Sequence, residues 1–398
     1  MPSEPFRIAA VWSREHTGAV GRSPTVRSIL KAMHRIGSLE EHVLSTVLEP
    51  RSLGGIARAG AWAAGSLMQG RPLSLQTVLF ADSSKNDALA DTLMRSNPDV
   101  IYLDGVRTYP LFLALAKRKP RRVIVDFDDL MSRRMDEFGS SGVVPLGYVE
   151  KSLPGWARTL ANPQALGRAV LGYERGMLAS VERRMTTCSD GVVLVSSVDA
   201  ALLNEGLSPA AREKVWVIPP CVDVVQPVPQ PGAPPRFVFI GSDRQSQNRL
   251  TISYLHALWD KVRPSATLVI AGPMVRDWPP VPNVVFSGWI ENTAELYEPG
   301  SIMITPSFIR GGIKTKVLQA FAHGCPAVGN DATFEGMGLE GYPFCFNTDD
   351  QLEVFIADLP QQAGRLHEAA VAGQQYLRER FSREGFELAW KRALTGVH

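Results

Sequence analysis

The chain has 398 residues, more than a single core ordinarily organises, and its 45% apolar and 21% charged content excludes a disordered or fibrous class. A net charge of +2 excludes a general nucleic-acid binder, whose basic residues would dominate a whole face. No apolar run approaches the ~18 residues of a membrane-spanning helix.

Cys188, Cys221, Cys325 and Cys345 form neither a CxxC pair nor a zinc-like spacing, which predicts reduced, mostly buried thiols in a cytoplasmic protein. Near the N-terminus, Glu4 and the short apolar run Ile8 to Trp12 suit a first strand better than a signal peptide.

Short β-branched runs alternating with amphipathic stretches predict parallel sheets covered by helices. In the first half, strands are expected at Arg7 to Trp12, Val43 to Leu48, Val100 to Leu103, Val123 to Phe127 and Gly191 to Val195. Ser23 is expected to cap a helix whose first residue is Pro24, and Ser196 with Asp199 has capping-box spacing.

Arg14, His16 and Gly18 follow the first strand, Asp104 and Arg107 end the third, and Asp126-Phe127-Asp128-Asp129 ends the fourth. All fall at the carboxyl edge of a parallel sheet, where open α/β folds bind ligands. Strand alternation, if it continues, sends Asp126 and Asp128 to one side and Asp129 to the other.

From Val143 to Met185, residues such as Leu146, Trp156 and Leu171 interleave with Lys151, Arg158, Arg168 and Arg175, and Ile56 to Met68 is weakly amphipathic. Both stretches read either as ordinary helices packed on the first domain or as a surface resting on an anionic membrane.

Between Val222 and Arg236 five prolines interrupt any periodicity, so this stretch reads as a semi-rigid connector. The expected division is residues 1–222, a linker at 223–235, a second domain at 236–375, and a C-terminal helix at 376–398 packing across the domains. In the second domain, strands are expected at Phe237 to Ile240, Thr267 to Ala271, Val284 to Ser287, Ile302 to Thr305 and Ala327 to Gly329. Helical spacing covers Gln361 to Leu394.

The segment from Pro306 to Gly336 runs strand, glycine pair, helix, with the helix opening near Lys314 and Gly324 as its stop. Glycines let a backbone approach a ligand closely, and the free N–H groups of a first helical turn favour phosphate. Lys314 and Lys316 add charge there, although two solvated lysines on an exposed helix face have the same spelling.

GGIKTKVLQAFAHGCPAV (Gly311 to Val328) followed by FEGM (Phe334 to Met337) resembles the donor-binding segment of family-4-like glycosyltransferases with the GT-B fold. The likeness extends to FVFIG (Phe237 to Gly241), LVIAG (Leu268 to Gly272), VVFSGWI (Val284 to Ile290), VIPPCVD (Val217 to Asp223) and NPDVIYLDG (Asn97 to Gly105), so it spans nearly the whole chain.

The resemblance implies two Rossmann-like α/β domains with parallel sheets facing a central cleft. It implies a nucleotide-sugar donor, UDP-linked by preference, on the second domain, and a glycan or lipid-linked acceptor on the first. The setting it implies is surface polysaccharide or glycoconjugate assembly, with peripheral contact at the inner membrane surface, no nucleic-acid partner, no cofactor and no metal.

Carried over by position, Gly312 and Thr315 offer backbone contacts, Lys316 meets the diphosphate with Arg244, Gln319 lies near the ribose, and Trp289 and Ile290 flank the base. Gly241, Asn248, Lys314 and Glu335 complete the donor set, and Arg14, Gly18, Asp104 and Arg107 the acceptor set. Many relatives carry two glutamates eight positions apart where this chain has Gly311 and Gln319. Glutamine still hydrogen-bonds ribose hydroxyls, so nucleotide binding survives its change more easily than sugar handling survives the other.

Glycosyl transfer needs an activated hydroxyl and a stabilised leaving diphosphate. Asp128 is the first choice for base, and His16 stands as a second catalytic candidate. Asp128 reads equally as a helix cap or as a partner of Arg133 or Arg134, and His16 as a plain loop histidine. The Asp-x-Asp spelling also matches the metal site of the other large glycosyltransferase fold, but the two-lobed pattern argues against it. A non-catalytic nucleotide-sugar scaffold and a sugar-nucleotide epimerase of the same fold are the competing functions.

Overall fold

A computed structural model describes residues 5–13, 15, 22–47, 53–140 and 163–397. The chain divides into two compact units, Met1–Pro219 with Phe386–His398, and Pro220–Gly385.

Among the described residues, the first unit holds a six-stranded sheet of β1 (Arg7–Trp12), β2 (Ser38–Val43), β3 (Val100–Asp104), β4 (Val123–Asp128), β5 (Gly191–Leu194) and β6 (Val215–Val217). Its order is β2-β1-β3-β4-β5-β6, every pair parallel. From β1 the chain crosses to one side and from β3 to the other, so the sheet reverses direction between these two strands.

Central strands covered on both faces read as unbroken apolar runs, and β3 is buried throughout. The edge strand β2 carries Glu40, Glu41 and His42 and is mostly exposed. This corrects the second strand expected at Val43 to Leu48: β2 pairs only with β1, needs no two-sided apolar run, and precedes the more apolar stretch. Strand β6 falls in the same class and was not expected.

The second unit holds a five-stranded parallel sheet of β7 (Arg236–Ile240), β8 (Leu268–Ala271), β9 (Val284–Gly288), β10 (Ser301–Ile304) and β11 (Ala327–Val328), in the order β11-β10-β7-β8-β9. Alternation along β7 splits its core: Phe237 and Phe239 pack in one layer with Trp259, Leu268 and Phe355, while Val238 and Ile240 join Met303, Val317, Leu318 and Phe321 in the other. Here the chain changes direction between β7 and β10.

The proline-rich stretch is tied to the second unit. The backbone N–H of Val225 donates to Ala322 O at 2.8 Å, and the Gln226 amide donates to Tyr297 O and His323 O at 3.1 and 2.9 Å. Gly324, with φ +68°, passes so close that a Cβ there would lie 2.8 Å from Pro227 O, which explains a glycine at this helix exit.

The C-terminal helical pattern forms two helices, Ala363–Arg380 and Arg383–Thr395, with Ser382 Oγ accepting the Gly385 N–H at 3.3 Å at the break. Phe386, Trp390, Ala393 and Leu394 are buried in the first unit, where the Trp390 ring meets Tyr102 edge-on at 5.8 Å and Ala393 O accepts Arg122 Nη2 at 3.1 Å.

Two capping expectations are corrected. The helix Ser23–Ile36 has Arg22 at its N-cap with no side-chain cap, because a guanidinium only donates and cannot accept a helix N–H; Ser23 lies inside the first turn. Ser196 does cap Ser197–Glu205 through the Val198 N–H, but Asp199 pairs with Arg133 at 2.8 Å rather than completing a box. Of the four thiols only Cys325 is buried, and Cys188 is exposed, which corrects the mostly buried set. No helix among the described residues is long and apolar enough to cross a membrane.

Candidate functional site

The reversal between β1 and β3 gathers charge at the carboxyl ends of β1, β3 and β4. Arg22, at the entrance of the Ser23–Ile36 helix, places Nη1 2.6 Å from Asp104 Oδ1 and Nη2 2.7 Å from Asp126 Oδ2, and its Nε lies 3.6 Å from Asp128 Oδ2. Ser13 Oγ donates to Asp104 Oδ2 at 2.7 Å, and the Tyr102 hydroxyl donates to Asp126 Oδ2 at 2.6 Å. Burial alone would lower the Arg22 guanidinium, but Asp104, Asp128 and Asp126 together raise it well above its usual value.

The expected alternation through Asp126, Asp128 and Asp129 fails. Pairing of β4 with β5 shifts register between Asp126 and Asp128, and Asp128 takes φ +65°, with its N–H donating to Asp126 Oδ1 at 2.9 Å. The three carboxylates thereby take separate tasks. Asp126 is 1% exposed and committed to Arg22 and Tyr102, and Asp129 pairs with Arg134. Asp128 keeps 28% of its side chain exposed and lines a cavity of about 70 Å³ with Ser13, Arg22, Arg107 and Arg134.

Burial pushes the Asp128 carboxyl up to about 6; Arg22 works against the rise, and Asp129 and Asp126 add to it. That value suits a group that must take a proton near neutrality.

Behind this edge, Glu182 is 1% exposed on the long helix Pro163–Cys188 and accepts the Ser132 N–H at 3.0 Å and its hydroxyl, capping the helix Met131–Ser140 that follows Asp129. Burial pushes its carboxyl up to about 7.

In the second unit the reversal between β7 and β10 brings together the helix Ser246–Val262, which follows β7, and Thr315–Ala322, which follows β10. Lys316 Nζ donates to Asn248 Oδ1 at 2.8 Å and lies 4.1 Å from the centre of the Phe239 ring. Burial, with Lys314 nearby, pushes its ammonium down to about 7. A Cβ at Gly241 would fall 2.7 Å from the Asn248 side chain, so the glycine ending β7 is what admits Asn248.

Gly311 and Gly312 take φ +100° and +63°, turning the chain out of β10 and into the helix. Lys314 donates to Ile309 O and Gly311 O, both at 2.9 Å, and so braces the loop. Glu335 pairs with Arg310 at 2.7 Å, while its other oxygen accepts the Gly311 N–H at 3.2 Å.

The remaining donor candidates lie around this turn. Arg244 is exposed, with its N–H on Ser242 Oγ at 3.3 Å, and Gln319 and Thr315 are half-buried on the helix. Trp289 is 58% exposed after β9, and Ile290 is partly buried beside the core.

Of the acceptor candidates, Asp104 is 2% exposed and faces Arg22 and Ser13 rather than open space, while Arg107 donates to Gln76 at 3.0 Å on the cavity wall. Arg14, His16 and Gly18 lie outside the described residues, as do residues 143–162 of the stretch from Val143 to Met185.

Arg22 escaped the sequence reading. Its only signal is its position two residues before Pro24, at a helix entrance on the same sheet edge as three aspartate-bearing strand ends. Asp243 escaped too: it is fully buried and accepts the N–H groups of Val275 and Arg276 at 2.8 and 3.0 Å, fixing the loop after β8.

Two Rossmann-like units, each with a polar site at the reversal point of its sheet, define a GT-B architecture. Residues 234–359 match the family described as Glycosyl transferases group 1. Among solved structures, the chain is similar to a sucrose-phosphate synthase from Thermosynechococcus elongatus, with a TM-score of 0.66 at 16% identity over 96% of each chain. It is also similar to HepE of Anabaena in complex with UDP and glucose, at 0.63 and 11% over 98% of this chain and 100% of that one. A glycosyltransferase from Rickettsia africae gives 0.61 at 11% over all of both chains. No curated protein matches the sequence. The fold is that of GT-B glycosyltransferases, and the resemblance to family-4-like sugar transferases stands.

Proposed function

We propose that the protein transfers a sugar from a nucleotide-sugar, UDP-linked by preference, to a hydroxyl of a glycan or lipid-linked acceptor, in surface polysaccharide or glycoconjugate assembly and without a metal. The observation that carries this is the half-buried Lys316 on Asn248, beside the turn made by Gly311 and Gly312. A lysine partly withdrawn from water, with the neutral Asn248 amide as its hydrogen-bond partner, gains from an anionic ligand, and a diphosphate is one. The UDP bound to HepE supports a uridine carrier.

In this reading the donor diphosphate meets Lys316 at the helix entrance that follows the glycine turn, with Arg244 adding charge from the loop after β7. Gln319 serves the ribose and Trp289 with Ile290 the base. Asp128 takes the proton of the acceptor hydroxyl as its oxygen bonds to the anomeric carbon; the bond from that carbon to the diphosphate oxygen breaks, and the nucleoside diphosphate leaves with the electron pair. A direct displacement of this kind inverts the anomeric centre.

The decisive experiment is calorimetric titration with UDP-, GDP- and ADP-sugars, followed by turnover of whichever binds. Absence of binding and of hydrolysis across the panel sinks the reading. Binding without turnover across acceptors favours the non-catalytic scaffold, which the missing acids at Gly311 and Gln319 independently motivate.

A further inference from the structure

We propose that Arg22 is the positioning residue of the first unit's site: by spanning Asp104 and Asp126 it holds the Asp128 carboxylate on the cavity wall, ionised and ready to accept a hydroxyl proton. The inference rests on the reading of Asp128 as the base.

The argument is one of connected geometry. Asp128 sits at φ +65°, a left-handed conformation uncommon outside glycine that aspartate and asparagine adopt most readily. The Asp126 carboxylate accepts the Asp128 N–H and so ties this turn down. Asp126 is itself fixed from two sides, by the Tyr102 hydroxyl and by Arg22 Nη2. Arg22 is held in turn by Asp104, which Ser13 anchors. The guanidinium is therefore the joint through which β3, β4 and the entrance of the Ser23–Ile36 helix set one carboxylate in place.

Charge points the same way. The groups facing Asp128 are Asp126 and Asp129 from its own strand end, Arg22 from the helix entrance and Arg134 from the Met131–Ser140 helix, with Asp104 of β3 behind Arg22. Arg134 is paired with Asp129 and favours the Asp128 anion less than Arg22 does, so Arg22 is the principal cation set against Asp104, Asp126 and Asp128. Its Nε has no hydrogen-bond partner among the described residues and lies 3.6 Å from Asp128 Oδ2, close enough to favour the anion yet too far to occupy the oxygen. A lysine could not replicate this, because one ammonium cannot span two carboxylates in a plane as the guanidinium fork does.

A merely structural arginine would change stability and leave the titration of Asp128 alone, so that titration is the test. Protein labelled with 13C at aspartate carboxyls is titrated by NMR, with Asp128→Asn identifying the resonance and thermal melting confirming the fold. In wild type the Asp128 midpoint is expected near 6. In Arg22→Gln it should rise by about one pH unit or more, and in Arg22→Lys by less.

An unmoved midpoint in folded Arg22→Gln overturns the proposal; should that variant not fold, an unmoved midpoint in Arg22→Lys does so. On turnover, the acid limb of kcat/KM in Arg22→Lys should follow the NMR midpoint. Undiminished turnover by Asp128→Asn, with the midpoint still moving between Arg22 variants, removes the base reading while leaving Arg22's hold on Asp128 in place.

Discussion

Lys316 Nζ and Asn248 Oδ1 lie 2.8 Å apart across the two helices that leave β7 and β10, so a single hydrogen bond spans the point where the second sheet reverses. The lysine supplies the charge and the asparagine aims it. Replacing Lys316 by alanine should weaken UDP binding by about tenfold to a hundredfold, the range for losing one charge-assisted hydrogen bond. Calorimetry on the folded variant measures this, and unchanged affinity dismisses the phosphate assignment.

The same lysine makes nucleotide binding depend on pH. Burial holds its ammonium down at about 7 in the free protein, and a bound diphosphate raises it again. Binding at neutral pH therefore takes up a proton, and affinity falls as pH rises through 7 and above. Titrations in two buffers of different ionisation enthalpy should reveal the uptake, and Lys316→Ala should abolish it.

Asp128 governs the other unit. As the base it must be ionised, so kcat/KM should climb as pH rises through about 6. Asp128→Asn should lower kcat by roughly a hundredfold to ten-thousandfold, the usual contribution of a general base. UDP affinity should be untouched, and a loss of binding equal to the loss of turnover would point to a structural role instead.

Glu182 adds a pH dependence of stability. Its folded value of about 7 lies above the ordinary 4.5, so the folded state holds the proton more tightly than the unfolded chain. The stabilisation is complete below 4.5 and is lost as pH rises to about 7. The loss amounts to at most about 3 kcal/mol. Glu182→Gln, which keeps an acceptor for Ser132, should flatten the melting profile across this window; an unchanged profile would falsify the assignment.

What the sequence disclosed depended on burial. Strands β1, β3, β4, β7 and β10 are covered on both faces, so their apolar runs mark them almost to the residue. Strand β2 is mostly exposed, and its polar SLEEHV lost out to the more apolar residues after it. On the donor side, the glycines and Lys316 were legible because a turn out of a strand leaves a local spelling. Arg22 was not, since its partners lie 82 and 104 residues away and no local pattern encodes that meeting. Lys314 shows the converse: it shares the spelling of Lys316, yet it braces the carbonyls of its own loop.

The burial of Phe386, Trp390 and Leu394 in the first unit bears on how the protein is made. During synthesis, the sheet begun by residue 7 lacks the Trp390 ring that packs on Tyr102 until residues 386–394 leave the ribosome, by which time residues 220–385 of the second unit have emerged. An expressed fragment ending near residue 219 would stay open at that point, whereas one with residues 386–398 joined through a short linker could close. The unit whose translation starts first is thus completed only after the whole of the other has been translated.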